Sequence, residues 1–380
     1  MKIGIVVPFS WSFWGGVLEH AEAQAAALEA RGHDVRLVMA NDPPGQFTRV
    51  LHPRVGRHGN PPPNVIPVGR SVIVPANGSL PNICLSPRAF FRIRQVLARE
   101  QFDVLHLHEP MTPAICVATL AIATCPIVAT HHAAGELGWM KLGMPGWGFL
   151  MERVDQRIAV SEQARASADP WVGGPWAIVP NGVLIPPHAD PSSRDHTITF
   201  AGRHEPRKGL QVLLRAWPEI RRRTGARLVI AGADPLAVRL LLTRLGVSDD
   251  GLEIVGFLSQ DDLTAALKRT KAFVAPSLGG ESFGMALTRA FACATPAVAS
   301  DIPGYSDVMT ERVAVAVPPG DPSALARAVD ELLADEPTRA RMGERARAHA
   351  VERFSWDDIA ARLEAIYENV VERSHGRSPV

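Results

Sequence analysis

Short valine- and isoleucine-rich runs alternate with helix-period segments along nearly the whole chain, and they do so in two successive series. In the first series, strands are expected at residues 3–7, 35–39, 104–107, 127–130, 157–160 and 177–179, with a helix over 17–30. These runs are apolar on both faces, as strands of a buried parallel sheet must be. A second series begins at residue 198 and continues at 228–231, 253–255, 272–275, 297–299 and 313–317. The pattern predicts an α/β protein of two doubly wound, Rossmann-like halves in tandem. Open parallel sheets hold ligands beyond the carboxyl ends of their strands, so two such halves facing one another are expected to form a cleft.

The expected domains are residues 1–175 and 176–355, joined through the Gly/Pro-rich passage PWVGGPWAIVPNGV at 170–183. Helices over 322–333 and about 356–373 close the chain, the last one crossing back onto the first domain. Residues 41–67 are proline-rich and read as a loop with one short strand. At 380 residues the chain is too long for one ordinary core, in keeping with two domains. Its 40 basic and 39 acidic side chains leave a formal charge of +1, which argues against a nucleic acid partner. Four cysteines without C-x2-C spacing favour a reducing, cytoplasmic compartment. The opening MKIGIVVPF reads as the first strand, not a signal peptide, and no stretch approaches 18 apolar residues. Any membrane contact is therefore expected to be peripheral.

Four strand-end features carry candidate chemistry. Gly15 and Gly16 follow the first strand and open a helix, where bare N–H groups could approach a diphosphate. AGRHEPRKG at 201–209 follows the first strand of the second series and offers Arg203 and Lys208. A guanidinium can fork onto two phosphate oxygens while an ammonium supplies a point charge. GGESFG at 279–284 places Glu281 at a helix entrance, with the backbone of Ser282, Phe283 and Gly284 available to an anion. A Glu that merely starts a helix is the competing reading. The fourth feature is the pair His131 and His132, which ends a strand. In LHLHEP, His106 and His108 alternate on one strand face like a ligand pair. No third ligand is apparent nearby, so they read as structural or cleft-lining, and no metal site is expected.

PNGV at 180–183, GRHEPRKG and GGESFG, in this order and spacing, resemble the retaining nucleotide-sugar glycosyltransferases of family 4, which have the GT-B fold. FDVLHLHEP, PIVATHH and RIAVSE are similar to the actinobacterial phosphatidylinositol mannosyltransferase group. The resemblance implies a catalytic set of His132, Glu281, Arg203 and Lys208. It places Gly16 against the donor diphosphate, Arg203 and Lys208 on its phosphates, Glu281 on sugar hydroxyls and His132 beside the reacting sugar. It implies a nucleotide-sugar donor, GDP-mannose or else a UDP-sugar, a lipid or polyol acceptor, and no essential divalent metal. The family usually carries a second Glu eight residues after the first, where this chain has Arg289, a donor-only side chain in the place of a ribose acceptor. Ala133, Ala134 and Gly135 also stand where relatives carry a polar run, and Phe9 where Tyr is expected.

Residues 86–100, SPRAFFRIRQVLARE, have helical period, with Arg88, Arg92 and Arg99 on one side and Phe90, Ile93 and Leu97 opposite. Such a helix could sit on an anionic membrane surface, or could be an ordinary surface helix. Trp11 and Trp14, and Trp139 and Trp147, fall in two glycine-bearing loops and are candidates for an interfacial belt. The sequence thus points to a lipid-acting transferase at the inner membrane face. A transferase with a soluble acceptor and a degenerate, binding-only relative are the rivals.

Overall fold

The computed structural model describes residues 1–52, 60–74, 81–86, 88–133, 147–188 and 194–376. The chain divides into two compact units, one of Met1–Gly182 together with the segment from Trp356 onward, the other of Val183–Ser355. The strands of the first unit are β1 (Lys2–Ser10), β2 (Asp34–Ala40), β3 (Val65–Gly69), β4 (Val72–Ile73), β5 (Asn82–Ile83), β6 (Val104–His108), β7 (Ile127–His131), β8 (Gln156–Ala159) and β9 (Trp176–Ile178). Its helices are α1 (Gly16–Ala30), α2 (Gln46–Leu51), α3 (Arg88–Glu100), α4 (Ile115–Ile122), α5 (Trp147–Met151) and α6 (Glu162–Val172). The second unit holds strands β10 (Thr197–Ala201), β11 (Arg227–Ala231), β12 (Leu252–Gly256), β13 (Ala272–Ala275), β14 (Ala297–Ser300) and β15 (Ala314–Val317). Its helices are α7 (Leu210–Thr224), α8 (Pro235–Leu245), α9 (Gln260–Arg269), α10 (Met285–Ala292), α11 (Pro322–Ala334) and α12 (Glu336–Phe354). The final helix, α13 (Trp356–His375), belongs to the first unit.

Both sheets are doubly wound. The first runs β3-β2-β1-β6-β7-β8-β9 with parallel pairing, and β4 and β5 form a small antiparallel attachment to β1. The second runs β12-β11-β10-β13-β14-β15, also parallel. In each sheet the order reverses beside its first strand, between β1 and β6 and between β10 and β13, which is where such folds bind ligands. Side-chain alternation along β1 feeds two cores: Ile3, Ile5 and Val7 pack under α1 and α13, whereas Val6 joins the core with α3 and α4. Ile359, Leu363 and Tyr367 of α13 complete the first of these cores. In the second unit, Leu213, Trp217 and Ile220 of α7 pack with Leu325 and Val329 of α11 over Ile198, Leu228 and Val274.

Several expectations need correction. β9 pairs with β8, so the first unit extends to Gly182 and not to residue 175. The segment read wholly as loop and one strand contains the short helix α2 as well as β3. The 19-residue helix α12 was not expected at all. Its buried stripe is Arg339, Gly343, Ala346, Ala350 and Phe354, too small and polar to register as an apolar face. On α3 the buried residues are Ala89, Ile93 and Val96, while Phe90 and Phe91 are exposed, Phe91 by 70%. Phe90 therefore does not share an inward face with Ile93. Trp11 is a core residue, Trp14 is 59% exposed, and Trp139 and the Trp147 side chain lie outside the described residues, as do Ala134 and Gly135.

Candidate active site

At the carboxyl end of β10, the chain passes through a 3-10 turn, Pro206–Lys208, directly into α7. At the end of β13 the loop carrying Glu281 comes alongside. Lys208 Nζ lies 2.8 Å and 3.0 Å from the two Glu281 carboxylate oxygens. Arg207 Nη1 donates to Glu281 Oε1 at 3.0 Å and to Gly280 O at 2.9 Å. Ser277 Oγ donates to the same Oε1 at 3.3 Å and is itself paired with Tyr305 Oη at 2.8 Å. Glu281 is only 8% exposed, so the carboxylate is held by two cations and a hydroxyl. Arg207 also pairs with Glu205 at 2.8 Å, and Glu205 with Arg203 at 2.9 Å. Arg203, Glu205, Arg207, Glu281 and Lys208 thus form a line of alternating charges with one cation in excess.

Close backbone packing fixes this arrangement. A Cβ on Gly209 would fall 1.7 Å from Pro276 O, at a φ of +70° that favours glycine anyway. A Cβ on Gly304 would fall 2.0 Å from Glu281 O, so the 3-10 turn Pro303–Tyr305 is pressed against the Glu281 backbone. Gly304→Ala is expected to destabilise the second unit by about 1–3 kcal/mol through overpacking and to loosen Glu281 from Lys208. Urea unfolding followed by tryptophan fluorescence measures it, and an unchanged midpoint would remove the constraint.

Glu281 is not the start of a helix. The N-cap of α10 is Gly284, without side-chain capping, so the acid stands three residues earlier and is free of the capping role. Phe283 is buried edge-on against Phe354, so its ring belongs to the core and its backbone alone faces the turn before α10. Arg289 lies in the last turn of α10 and is partly buried.

The first unit presents a separate constellation. Gly15 is the extended N-cap of α1, and the positions a Cβ would take on Gly15 and Gly16 are open for 4 Å, so the helix N-terminus is accessible to an anion. Beneath it, α1 points His20 and Gln24 at the sheet, where β6 supplies His106 and His108 and the residue after β7 supplies His132, whereas the ring of His131 lies 5.0 Å from that of Trp176. His106 and His108 do share a face, their rings stacked at 4.7 Å. His106 Nε2 bonds Thr130 Oγ1 at 2.7 Å, and its Nδ1 meets Gln24 Nε2 at 2.9 Å and Tyr367 Oη at 2.5 Å. His108 Nδ1 and His132 Nε2 are 2.7 Å apart. His132 N donates to Glu109 Oε1 at 2.8 Å, and Glu109 has a left-handed φ of +51°. Burial foremost, with neighbouring imidazoles, pushes His106 and His131 down to about 3. Burial pushes His132 to about 4, against a raising contact from Asn181. His20 and His108 are lowered well below the ordinary value, again by burial first. Burial pushes the Glu109 carboxyl up to about 7 against the backbone N–H groups of His132 and Ala133.

A third imidazole, missed from local sequence, does stand beside the pair: His20, His108 and His132 offer nitrogens within 4.8 Å of one another. Two of them form a hydrogen bond at 2.7 Å. Two nitrogen ligands on one tetrahedral zinc sit about 3.3 Å apart, given Zn–N bonds of about 2.0–2.1 Å. The cluster fits a hydrogen-bonded chain better than a metal centre.

Family models match on both halves: Glycosyltransferase Family 4 over residues 14–184 and Glycosyl transferases group 1 over 186–349. The phosphatidyl-myo-inositol mannosyltransferase of Mycobacterium leprae is 33% identical, covering 97% of this chain and 97% of the relative. The chain belongs to glycosyltransferase family 4. The counterpart in Mycolicibacterium smegmatis is also 33% identical to this family 4 transferase, over 97% of the chain and 94% of the relative. Among solved structures, sucrose-phosphate synthase from Thermosynechococcus elongatus superimposes with a TM-score of 0.75 at 19% identity, covering 98% of this chain and 100% of that one. Anabaena Alr3699/HepE in complex with UDP gives 0.70 at 19% identity, over 97% and 100%. These likenesses give the transferase the GT-B fold, with two Rossmann-like domains.

Of the predicted residues, the structure brings Glu281 and Lys208 into contact and links Arg203 to them through Glu205 and Arg207. His132, Gly15 and Gly16 stand at strand ends of the first sheet. Sequence reasoning passed over Arg207 and Glu205, although both lie inside the quoted AGRHEPRKG motif. Their signal was the alternation of charge within one short turn.

Proposed function

We propose that this family 4 enzyme transfers mannose from GDP-mannose to an inositol hydroxyl of phosphatidylinositol, with retention at the anomeric carbon. The observation that carries the reading is Glu281, buried and doubly salt-bridged beneath Lys208 and Arg207 at the switch point of the second sheet. The full-length relatives that bear the mannosyltransferase name support the choice of sugar and acceptor.

In this reading Lys208 and Arg203 hold the donor diphosphate, and Glu281 accepts hydrogen bonds from sugar hydroxyls. The backbone of Ser282, Phe283 and Gly284, and Arg289, border the nucleotide. In the first unit the open N-terminus at Gly15 and Gly16 favours phosphate, and His132 serves the reacting sugar. The acceptor oxygen bonds to the anomeric carbon on the face from which the diphosphate leaves, and the hydroxyl proton passes to the departing phosphate oxygen. Stabilising that departing charge is the largest catalytic term, and fixed cations supply it without a divalent metal.

No helix among the described residues is long and apolar enough to cross a membrane, so a lipid acceptor is reached from the surface. The α3 helix suits that task, because Arg88, Arg92 and Arg94 and the edge-to-face pair Phe90 and Phe91 are exposed together. Vesicles of phosphatidylinositol with labelled GDP-mannose and excess chelator test the reading directly. Labelled lipid is expected, together with flotation on anionic but not neutral vesicles. Transfer from a UDP-sugar to a soluble polyol alone would favour the soluble-acceptor reading. Binding of donor without turnover would make the chain a degenerate relative.

A further inference from the structure

A neutral imidazole carries one N–H and one lone pair, so the buried histidines of the first unit limit where their protons can be. His108 Nδ1 and His132 Nε2 are 2.7 Å apart, and one of them donates. His108 Nε2 is buried and has no hydrogen-bond partner. A proton there would be an orphaned buried donor, the costlier kind of unsatisfied group, whereas an idle lone pair is the lesser loss. The His108 proton therefore belongs on Nδ1, pointing at His132 Nε2. His132, holding its lone pair at Nε2, must carry its own proton at Nδ1. Asn181 contacts the His132 side chain, and Asn181 Oδ1 is buried with no hydrogen bond closed to another group. The chain reads His108 donating to His132, whose Nδ1–H is left for a ligand because no hydrogen bond closes on Asn181 Oδ1.

We propose that His108 is a positioning residue that locks His132 as the Nδ1–H tautomer, so that His132 serves the transferase as a neutral hydrogen-bond donor and not as a general base. The only lone pair of His132 is taken by His108, leaving none for the acceptor hydroxyl. The surroundings enforce neutrality. His20 from α1 packs its ring 4.9 Å from His132, His106 stacks on His108, and His131 adjoins in sequence. The neighbouring acid Glu109 accepts from the His132 backbone and not from its ring. The proton of the acceptor then goes to the departing diphosphate, as the retaining reaction requires.

This inference rests on His132 being a site residue, and its test separates the two. Long-range 1H–15N correlation spectra of the full-length protein with 15N-labelled histidine, recorded without substrate, are expected to show a pyrrole-type Nδ1 and a pyridine-type Nε2 for His132, unchanged between pH 5.5 and 8. The His132 signal is assigned by its loss in His132→Ala. A proton on Nε2, or titration of His132 within that range, would overturn the proposal whatever the activity. In variants, His108→Asn supplies an amide donor near the Nδ1 position and is expected to keep kcat within about threefold, while His108→Leu lowers it about 10- to 100-fold with little change in donor KM. Equal kcat in the two variants overturns it as well. If His108→Leu does not fold, the wild-type spectrum alone decides. Full transfer activity in His132→Ala would instead remove His132 from the site and leave the tautomer assignment standing.

Discussion

Lys208→Ala is expected to lower the turnover of sugar transfer about 10²- to 10³-fold, the loss typical of removing one preorganised group that faces developing charge. Lys208 leaves a 3-10 turn whose following residue, Gly209, is pressed against Pro276 O, so the ammonium is held and not searching. The variant should stay folded, because Arg207 and Ser277 continue to hold Glu281 at 3.0 Å and 3.3 Å. Donor affinity measured by calorimetry is expected to weaken less than kcat falls, since the diphosphate carries most charge when it leaves. Equal background rates in the variant and the parent would mean that the line of charges binds without catalysing.

Acidification is expected to unfold the first unit well before the second. His106 and His131, pushed down to about 3, His132, pushed down to about 4, and the more strongly depressed His20 and His108 all stay neutral in the fold. In the unfolded chain each protonates near about pH 6.5. Below that pH the unfolded state binds more protons, so stability falls as pH falls. Glu109 works in the other direction, because its carboxyl, pushed up to about 7, keeps a proton in the fold that the unfolded chain gives up. Five imidazoles less one carboxyl leave about four protons taken up on unfolding near pH 5, a slope of about 5 kcal/mol per pH unit. Against a domain stability of about 5–15 kcal/mol, that slope unfolds the unit within one to three pH units. Amide exchange resolved between the two units, and proton uptake followed by titration, check it. Uptake near zero, or earlier opening of the second unit, would show that the imidazoles are not neutral in the fold.

Much of this architecture was legible in the sequence because buried parallel strands announce themselves by composition alone. Runs such as IGIVV and RLVIA need no partner information to be read. The glycine-rich turn with Glu281 and the basic turn with Lys208 were legible too, since both follow such strands directly. What escaped had its cause in tertiary packing. The buried stripe of α12 is made of Gly343, Ala346 and Ala350, which are small because the helix packs closely, and a hydrophobic period does not detect small residues. The strand at 177–179 is legible in the first series, but β9 is only three residues long and half-buried, so a boundary at 175 cuts it from the β8 it pairs with. By helical period Phe90 falls on the same side as Ile93 and Leu97, but the core under α3 is reached by Ala89, Ile93 and Val96. His20 sits on a helix 86 residues before His106 in the chain, and only the fold brings the two together.

The return of α13 to the first unit bears on the order in which the molecule is made. Residues 1–182 leave the ribosome first, yet their core stays open until Ile359, Leu363 and Tyr367 arrive to cover α1. The second unit is one uninterrupted stretch, and during vectorial synthesis it can fold while the last helix is still in the exit tunnel. The half of the protein that is begun first is thus finished last. Until then its histidine chain lacks the Tyr367 hydroxyl and lies exposed to water, where imidazoles take their ordinary protons. A nascent chain would acquire its donor-side ion pairs before its buried imidazoles become neutral.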